Sequence, residues 1–161
     1  MRHIIAVLVE NESGALSRIA GLFAARGFNI ESLTVAATND STLSRMTIVS
    51  IGSDRLITQI IKQLNKLIDV YKVIELTSVQ HLERELLLLK VAVDNNKVEI
   101  EKVVKDFAGK IIDNTDGILI IELAETSKTI NDFIDEFDSS KVISVARTGV
   151  TGLCKGNLNF S

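Results

Sequence analysis

The segment Val7–Ile30 reads VLVENESGALSRIAGLFAARGFNI, and two patterns meet in it. The aliphatic run Ile4–Val9 predicts a strand, which leads through a polar corner into a stretch with helical periodicity. Apolar residues there recur at the spacing of a half-buried helix, namely Leu16, Ile19, Ala20 and Phe23. We therefore expect an α+β fold whose first unit begins with this strand and helix.

The corner between the strand and the helix contains residues suited to a helix start. Ser13 is predicted to cap the helix, because its hydroxyl can accept a hydrogen bond from a first-turn amide. Gly14 lacks a side chain, so a ligand could approach the amides there, and the helix dipole would favour a negative charge. Gly27 is predicted to end the helix in the left-handed conformation. The residues alone leave two interpretations open: a small-molecule site, or a helix start without a binding role.

The same order of elements is predicted twice along the chain. The first set has strands at residues 4–9, 29–38, 43–51 and 70–76, with helices beginning near residues 14 and 54. The second set has strands at residues 85–93, 110–114, 118–123 and 141–146, with helices at 98–107 and from 126 or 127. Each set has the βαββαβ order of a ferredoxin-like fold.

These patterns divide the chain into two units and a tail. We expect tandem ferredoxin-like units at residues 1–77 and 83–149, joined by a short linker without periodicity. Residues 150–161 are predicted to be a tail, because glycines recur there and periodicity is lost. Instead of a glycine-bearing corner, the second unit has the polar sequence Asp94–Lys97 after its first strand. In the first unit, the second helix is predicted to bury Ile57, Ile60, Ile61, Leu64 and Ile68.

Composition excludes several classes of partner. Apolar residues make up 46% of the chain and aromatic residues only 4%, which argues against stacking on nucleic-acid bases. The formal charge of −3 gives no general attraction to nucleic acid or to anionic membranes. No apolar run approaches the ~20 residues of a membrane span, and the N-terminus lacks a signal-peptide pattern. We expect a cytoplasmic protein with neither a nucleic acid nor a membrane as partner.

The titratable residues form no pattern typical of a catalytic site. The two histidines, His3 and His81, are far apart in sequence, and the single cysteine is Cys154. One cysteine excludes an intrachain disulfide and a cysteine-rich metal site. We therefore expect no catalytic residues, no metal site and no cofactor held by this chain.

Two motifs of the first unit resemble the ACT family of small-molecule regulatory domains. The corner Asn11–Leu16 is similar to the family's Asp-x-Pro-Gly-x-Leu turn, with Asn in place of Asp and Ser in place of Pro. Gly27–Ile30 is similar to its Gly-x-Asn-Ile motif. Longer segments resemble more narrowly the small regulatory subunits of acetolactate synthase: Glu12–Arg18, Asn29–Val35, Leu43–Ile48, Glu83–Glu85 and Val145–Gly149. This resemblance extends over nearly the whole chain.

The resemblance implies that the first unit binds valine or another branched-chain amino acid. The effector residues would be Asn11, Ser13, Gly14, Ala15, Leu16, Asn29 and Ile30. The amides of Gly14 and Ala15 could receive the carboxylate, and the side-chain amides of Asn11 and Asn29 could hold either charged group. The aliphatic residues that could enclose a branched side chain are Ile30, Leu33 and Val35.

The resemblance also implies two protein partners. The second strand of this fold is a sheet edge, which invites pairing with a second copy, so we expect a homodimer. Its interface would include Leu33, Val35 and Arg45. The other partner would be the catalytic large subunit of acetolactate synthase, which would carry thiamine diphosphate, magnesium and FAD. The chain would activate that subunit and make it sensitive to valine.

Other functions fit the sequence less well. An ACT-type amino-acid sensor could act on a different enzyme or on a transcription regulator, but both halves of this chain are occupied by βαββαβ units, which leaves no DNA-binding element. An RNA-binding ferredoxin-like protein would need aromatic residues on its central strands. A small hydrolase would need a catalytic set.

Overall fold

The structure is a computed structural model that describes residues 1–94 and 97–157. The chain forms two compact units. The first contains Met1–Leu82 together with the segment from Val150 onward, and the second contains Glu83–Gly149. Among the described residues, no helix combines the length and apolar character needed to cross a membrane.

The first unit has the predicted βαββαβ order. Its elements are β1 (Arg2–Glu10), α1 (Ala15–Ala24), β2 (Ser32–Ala37), β3 (Leu43–Ile51), α2 (Asp54–Leu64) and β4 (Val70–Glu75). A 3₁₀ turn, Leu76–Ser78, follows β4. The strands form an antiparallel sheet in the order β2-β3-β1-β4, so β2 is an edge strand. The ferredoxin-like prediction is confirmed for this unit.

The aliphatic run of β1 is explained by burial on both faces of the sheet. Ile5, Val7 and Val9 pack in the core that includes α1 and α2 residues. Ile4 and Ala6 lie on the opposite face in a smaller cluster with Val49, Leu76 and Val150. A central strand covered on both sides reads as a continuous apolar run and not as an alternation.

Two predicted core positions of the first unit are wrong. In α1 the buried stripe is Ala15, Ile19 and Phe23, whereas Leu16 is 42% exposed. Ile19 and Phe23 are buried as predicted, but the stripe begins at Ala15, four residues before Ile19, so Leu16 lies beside it on the solvent side. Ile68 is 91% exposed, because α2 ends at Leu64 and the helical spacing no longer applies beyond it.

The second unit repeats the order, as predicted. Its elements are β5 (His81–Ala92), α3 (Lys97–Asp106), β6 (Lys110–Thr115), β7 (Ile118–Glu125), α4 (Ser127–Asp135) and β8 (Val142–Arg147). The strand order is β6-β7-β5-β8. Asp116 and Gly117 both have positive φ, at 54° and 74°, which fits the predicted tight hairpin. The Thr126 hydroxyl accepts from the Thr129 amide, which confirms the predicted cap of α4. The polar sequence that stands in place of a glycine corner includes Asn95 and Asn96, which lie outside the described residues.

The predicted tail is in part a structured segment, which corrects the sequence analysis. Thr151–Cys154 form a short strand, β9, that pairs with β5. Lys155 donates its amide hydrogen to the Gln80 carbonyl at 2.8 Å, so the pairing lies at the start of β5. A side chain on Gly152 would come within 2.7 Å of Leu76 Cδ1. The glycine that suggested a loose tail is therefore what allows this strand to pack closely.

Candidate functional site

The corner after β1 is fixed to the turn between β2 and β3. The Asn11 amide donates to the Thr42 carbonyl at 2.8 Å, and Asn11 Nδ2 donates to the Ser41 carbonyl at 3.0 Å. Asn11 is exposed, and its Oδ1 can still accept a hydrogen bond from a ligand. The side chain therefore holds the corner in place and offers one acceptor.

The N-cap of α1 is Gly14, whereas the sequence analysis predicted Ser13. The first helical hydrogen bond runs from the Arg18 amide to the Gly14 carbonyl at 3.0 Å, and Gly14 has φ 92° and ψ −15°. Ser13 stands one position too early to cap, and no side chain caps this helix. The Ala15 amide makes a long bond of 3.4 Å to the Glu12 carbonyl. No side chain therefore caps the first amides of α1. These are the amides that were predicted to receive the carboxylate of a ligand.

An arginine that the sequence analysis did not single out lies beside this corner. The Nε atom of Arg18 donates to Asp69 Oδ2 at 2.5 Å, and the Asp69 side chain is only 8% exposed. A Cβ atom on Gly14 would lie 3.1 Å from Arg18 Nη1. The hydrogen bond to Asp69 raises the pKa of Arg18, and the nearby carboxylates of Glu12 and Glu10 add to the effect. The arginine therefore stays charged at any physiological pH.

The sequence alone could have indicated the position of Arg18 but not its pairing with Asp69. Arg18 stands four residues after Gly14, the spacing that places two residues on one helix face. Asp69 is 51 positions from Arg18. It comes into place because the Glu10 amide donates to the Asp69 carbonyl at 2.8 Å, where β4 begins beside the end of β1.

Asn29 and Ile30 lie at the other end of the same sheet. Asn29 Nδ2 donates to Glu31 Oε1 at 2.9 Å, and the Ser50 hydroxyl donates to the Asn29 carbonyl at 2.8 Å. Ile30 packs at the margin of the first core.

The strand register gives the separation of these two groups of residues. Ser32 stands opposite Val49, which stands opposite Ile4, near the beginning of β1. Asn11 follows the end of β1, so it is at least seven residues further along, or about 24 Å at ~3.4 Å per residue. A single chain therefore does not bring Asn11 and Asn29 onto one small ligand.

The predicted interface residues differ in their surroundings. Val35 on the edge strand is 48% exposed, and Leu33 is half-buried against the first core. Arg45 is half-buried, and its Nη2 atom donates to the Gly152 carbonyl at 2.5 Å, so the guanidinium is engaged within its own chain. Burial lowers the pKa of Arg45.

Comparisons with known proteins cover the chain almost completely. The family model described as "AHAS small subunit-like ACT domain" matches residues 5–72, and the model "Small subunit of acetolactate synthase" matches residues 84–156. The chain is 48% identical to the acetolactate synthase isozyme 3 small subunit of Escherichia coli, over 98% of each protein. It is 46% identical to a probable acetolactate synthase small subunit of Archaeoglobus fulgidus, over 98% of this chain and 99% of that protein.

A solved structure agrees with these matches. The crystal structure of the acetolactate synthase small subunit from Thermotoga maritima superimposes with a TM-score of 0.89 at 38% identity, over 98% of this chain and 99% of that chain. Both βαββαβ units, the ACT-type corner and the sequence matches agree, and the chain belongs to the family of acetolactate synthase small subunits.

Proposed function

We propose that this chain is the regulatory subunit of an acetolactate synthase, and that it raises the activity of the catalytic subunit and makes it sensitive to inhibition by valine. Family membership supports the choice of enzyme. The proposed regulatory site is supported by one observation: its two halves are far apart within a single chain. Asn11 and Gly14 lie at one end of the first sheet, and Asn29 lies at the other. Two copies are needed to complete such a site.

Pairing along the edge strand β2 would unite these halves. In the sheet, β2 runs parallel to β1, because both are antiparallel to β3. When two β2 strands pair antiparallel about a two-fold axis, the start of one lies beside the end of the other. The Asn29–Ile30 segment of one chain then approaches the corner of its partner. The expected product is a homodimer with two equivalent sites.

Each site would take a branched-chain amino acid at the corner. The amides of Gly14, Ala15 and Leu16 would receive the carboxylate, because no side chain caps α1 and the Ala15 amide makes only a long bond of 3.4 Å to the Glu12 carbonyl. Asn11 and the partner's Asn29 would bond the remaining polar groups. The expected apolar lining is Ile30, Leu33 and Val35, which discriminates side chains that differ by one methylene by only ~1–3 kcal/mol.

The catalytic chemistry would belong to the partner subunit. In this proposal the large subunit carries thiamine diphosphate, magnesium and FAD, and both subunits work in the cytoplasm. Valine at the dimer interface would bias two states of the assembly, with a coupling free energy of the usual ~1–3 kcal/mol. In this proposal the small subunit changes the rate of acetolactate formation only through its assembly with the catalytic subunit.

Reconstitution tests the proposal. The catalytic subunit from the same source is assayed for acetolactate formation from pyruvate, alone and with this chain, across a valine titration. We expect higher activity with the chain present, together with inhibition by valine that the catalytic subunit alone does not show. Activation without valine sensitivity would refute the effector assignment, and no effect at any subunit ratio would refute the proposed function.

A further inference from the structure

We infer that Arg18 is a specificity-determining residue of the effector site, which binds the carboxylate of the amino acid from a position fixed by Asp69. This inference rests on the proposed function, since it concerns the same corner. It adds a charged partner that none of the predicted effector residues provides, and it assigns a role to the missing side chain at position 14.

The position of the guanidinium is fixed by a buried anchor. The Asp69 side chain is 8% exposed and accepts a hydrogen bond from Arg18 Nε at 2.5 Å, whereas the Arg18 side chain is 46% exposed. Within residues 1–94 and 97–157, Asp69 is the hydrogen-bond partner of this side chain. Because Nε is taken, the two terminal nitrogens are the atoms left to meet a ligand.

Those terminal nitrogens face the backbone of Gly14. A Cβ atom built on Gly14 would lie 3.1 Å from Nη1 and 3.9 Å from Nη2. The guanidinium therefore lies directly against the space of the absent side chain, beside the amides proposed to meet the effector carboxylate. Two N–H groups in a planar fork match the two oxygens of a carboxylate, which a single backbone amide does not.

The surrounding charges define the class of ligand. Glu10 and Glu12 are near enough to Arg18 to act on its guanidinium electrostatically, and Tyr71 donates a long hydrogen bond to Glu10 at 3.4 Å. With Asp69 paired, the corner presents the Arg18 guanidinium beside the carboxylates of Glu10 and Glu12. Such a site suits a zwitterion, with its carboxylate at Arg18 and its ammonium toward the glutamates. A free α-amino acid fits this distribution, and a ligand without a carboxylate loses the interaction with Arg18.

A purely structural role for the ion pair is the alternative. Arg18 on α1 and Asp69 before β4 would then only tie a helix to the end of the sheet. Loss of such a tie would weaken every ligand of the corner by the same factor. Loss of a carboxylate partner would weaken only ligands that carry a carboxylate, so a comparison of two ligands separates the roles.

The experiment compares valine with valinamide, in which a neutral amide replaces the carboxylate. Their dissociation constants are measured by calorimetry on the reconstituted holoenzyme, for the wild type and for Arg18→Gln. We expect valine to bind the wild type about ten- to a hundredfold more tightly than valinamide, the range of a charge-assisted hydrogen-bonded pair. In Arg18→Gln that ratio should fall toward one, mainly because valine binding weakens.

Further variants keep the test decisive. Arg18→Lys retains the positive charge but not the planar pair of N–H donors, so it should keep part of the preference for valine. It also allows the comparison to be made if Arg18→Gln fails to fold. Arg55→Gln, which removes an exposed arginine from α2, should leave the ratio unchanged. An unchanged ratio in Arg18→Gln, with both ligands weakened equally, would overturn the role of Arg18 alone. Absence of valine binding to the wild-type holoenzyme would overturn the proposed effector site as well.

Discussion

At the scale of single residues, the corner depends on the absence of a side chain at Gly14. Its φ of 92° is costly for any other residue, and a Cβ atom would lie 3.1 Å from Arg18 Nη1. We predict that Gly14→Ala strongly weakens inhibition by valine and retains activation of the catalytic subunit. Gly14→Asp should abolish the inhibition, because its carboxylate would repel that of the ligand. The measurement is the valine concentration for half-maximal inhibition of the reconstituted enzyme.

The matched control for this prediction lies on the same helix. Gly21 has negative φ, and no heavy atom lies within 4 Å of a Cβ built on it. Gly21→Ala should leave valine inhibition unchanged and stabilise the helix by roughly 0.5–1 kcal/mol. If the two alanine variants lose inhibition equally, the effect comes from α1 as a whole and the assignment to the corner is wrong.

Local chemistry made some of these residues predictable from sequence. Gly27 has the predicted left-handed φ of 68°, and Thr126 caps α4 through its own hydroxyl. Ser13 was wrong as a cap because several polar residues precede α1, and only the backbone decides which of them is the N-cap. Arg18 and Asp69 could not be paired in advance, because their contact depends on how β4 aligns with β1.

At the scale of elements, one ion pair with a buried carboxylate joins three parts of the second unit. Arg147 on β8 makes a two-pronged bond to Glu85 on β5, at 2.9 and 2.8 Å, and the Ser127 hydroxyl at the start of α4 donates to the same carboxylate at 2.8 Å. The Glu85 side chain is 5% exposed. We predict that Glu85→Gln lowers the free energy of unfolding by about 2 kcal/mol at neutral pH, because the partly exposed guanidinium of Arg147 loses its charged hydrogen-bond partner.

This pair also gives stability a predicted pH dependence. Burial by itself raises the pKa of Glu85, but the hydrogen bonds from Arg147 and Ser127 outweigh it, so the pKa lies below its ordinary value. The stabilisation is therefore complete above the unfolded pKa of ~4.3 and is lost as the pH falls through the lower folded pKa. Denaturant unfolding from pH 7 to pH 3 should show a smaller acid-side loss of stability in Glu85→Gln than in the wild type. Glu136→Gln, at an exposed position, should follow the wild-type curve, and parallel curves for all three would contradict the prediction.

The order of the elements was predictable, and one late strand was not. The alternation of helical and strand periodicity gives βαββαβ twice, since each element in those sets buries a regular apolar stripe. Thr151–Cys154 has no such stripe. It is held by bonds such as that of Arg45 to the Gly152 carbonyl, and Thr34 donates to the Val150 carbonyl at 2.8 Å. These are contacts over more than 100 residues of sequence, which a local pattern does not reveal.

At the scale of the whole molecule, the proposed dimer makes a prediction about mixed subunits. If each effector site takes its corner from one chain and Asn29 from the other, Gly14→Asp and Asn29→His damage different halves. A dimer with one chain of each variant then has one site with both changes and one site with none. We predict that this mixed dimer regains partial valine inhibition, although each variant alone is insensitive or weakly sensitive.

The test uses two differently tagged chains, purified in tandem and combined with the catalytic subunit. Activation by the mixed dimer shows that it assembles, and the valine titration reports the intact site. If both halves of a site belonged to one chain, every site in the mixed dimer would be damaged and no inhibition would return. That outcome would contradict the shared site, which rests on a register that places Asn11 about 24 Å along the sheet from the level at which β2 begins. Recovery would mean that valine binding is thermodynamically linked to the pairing of the two chains, which is the physical basis of the proposed regulation.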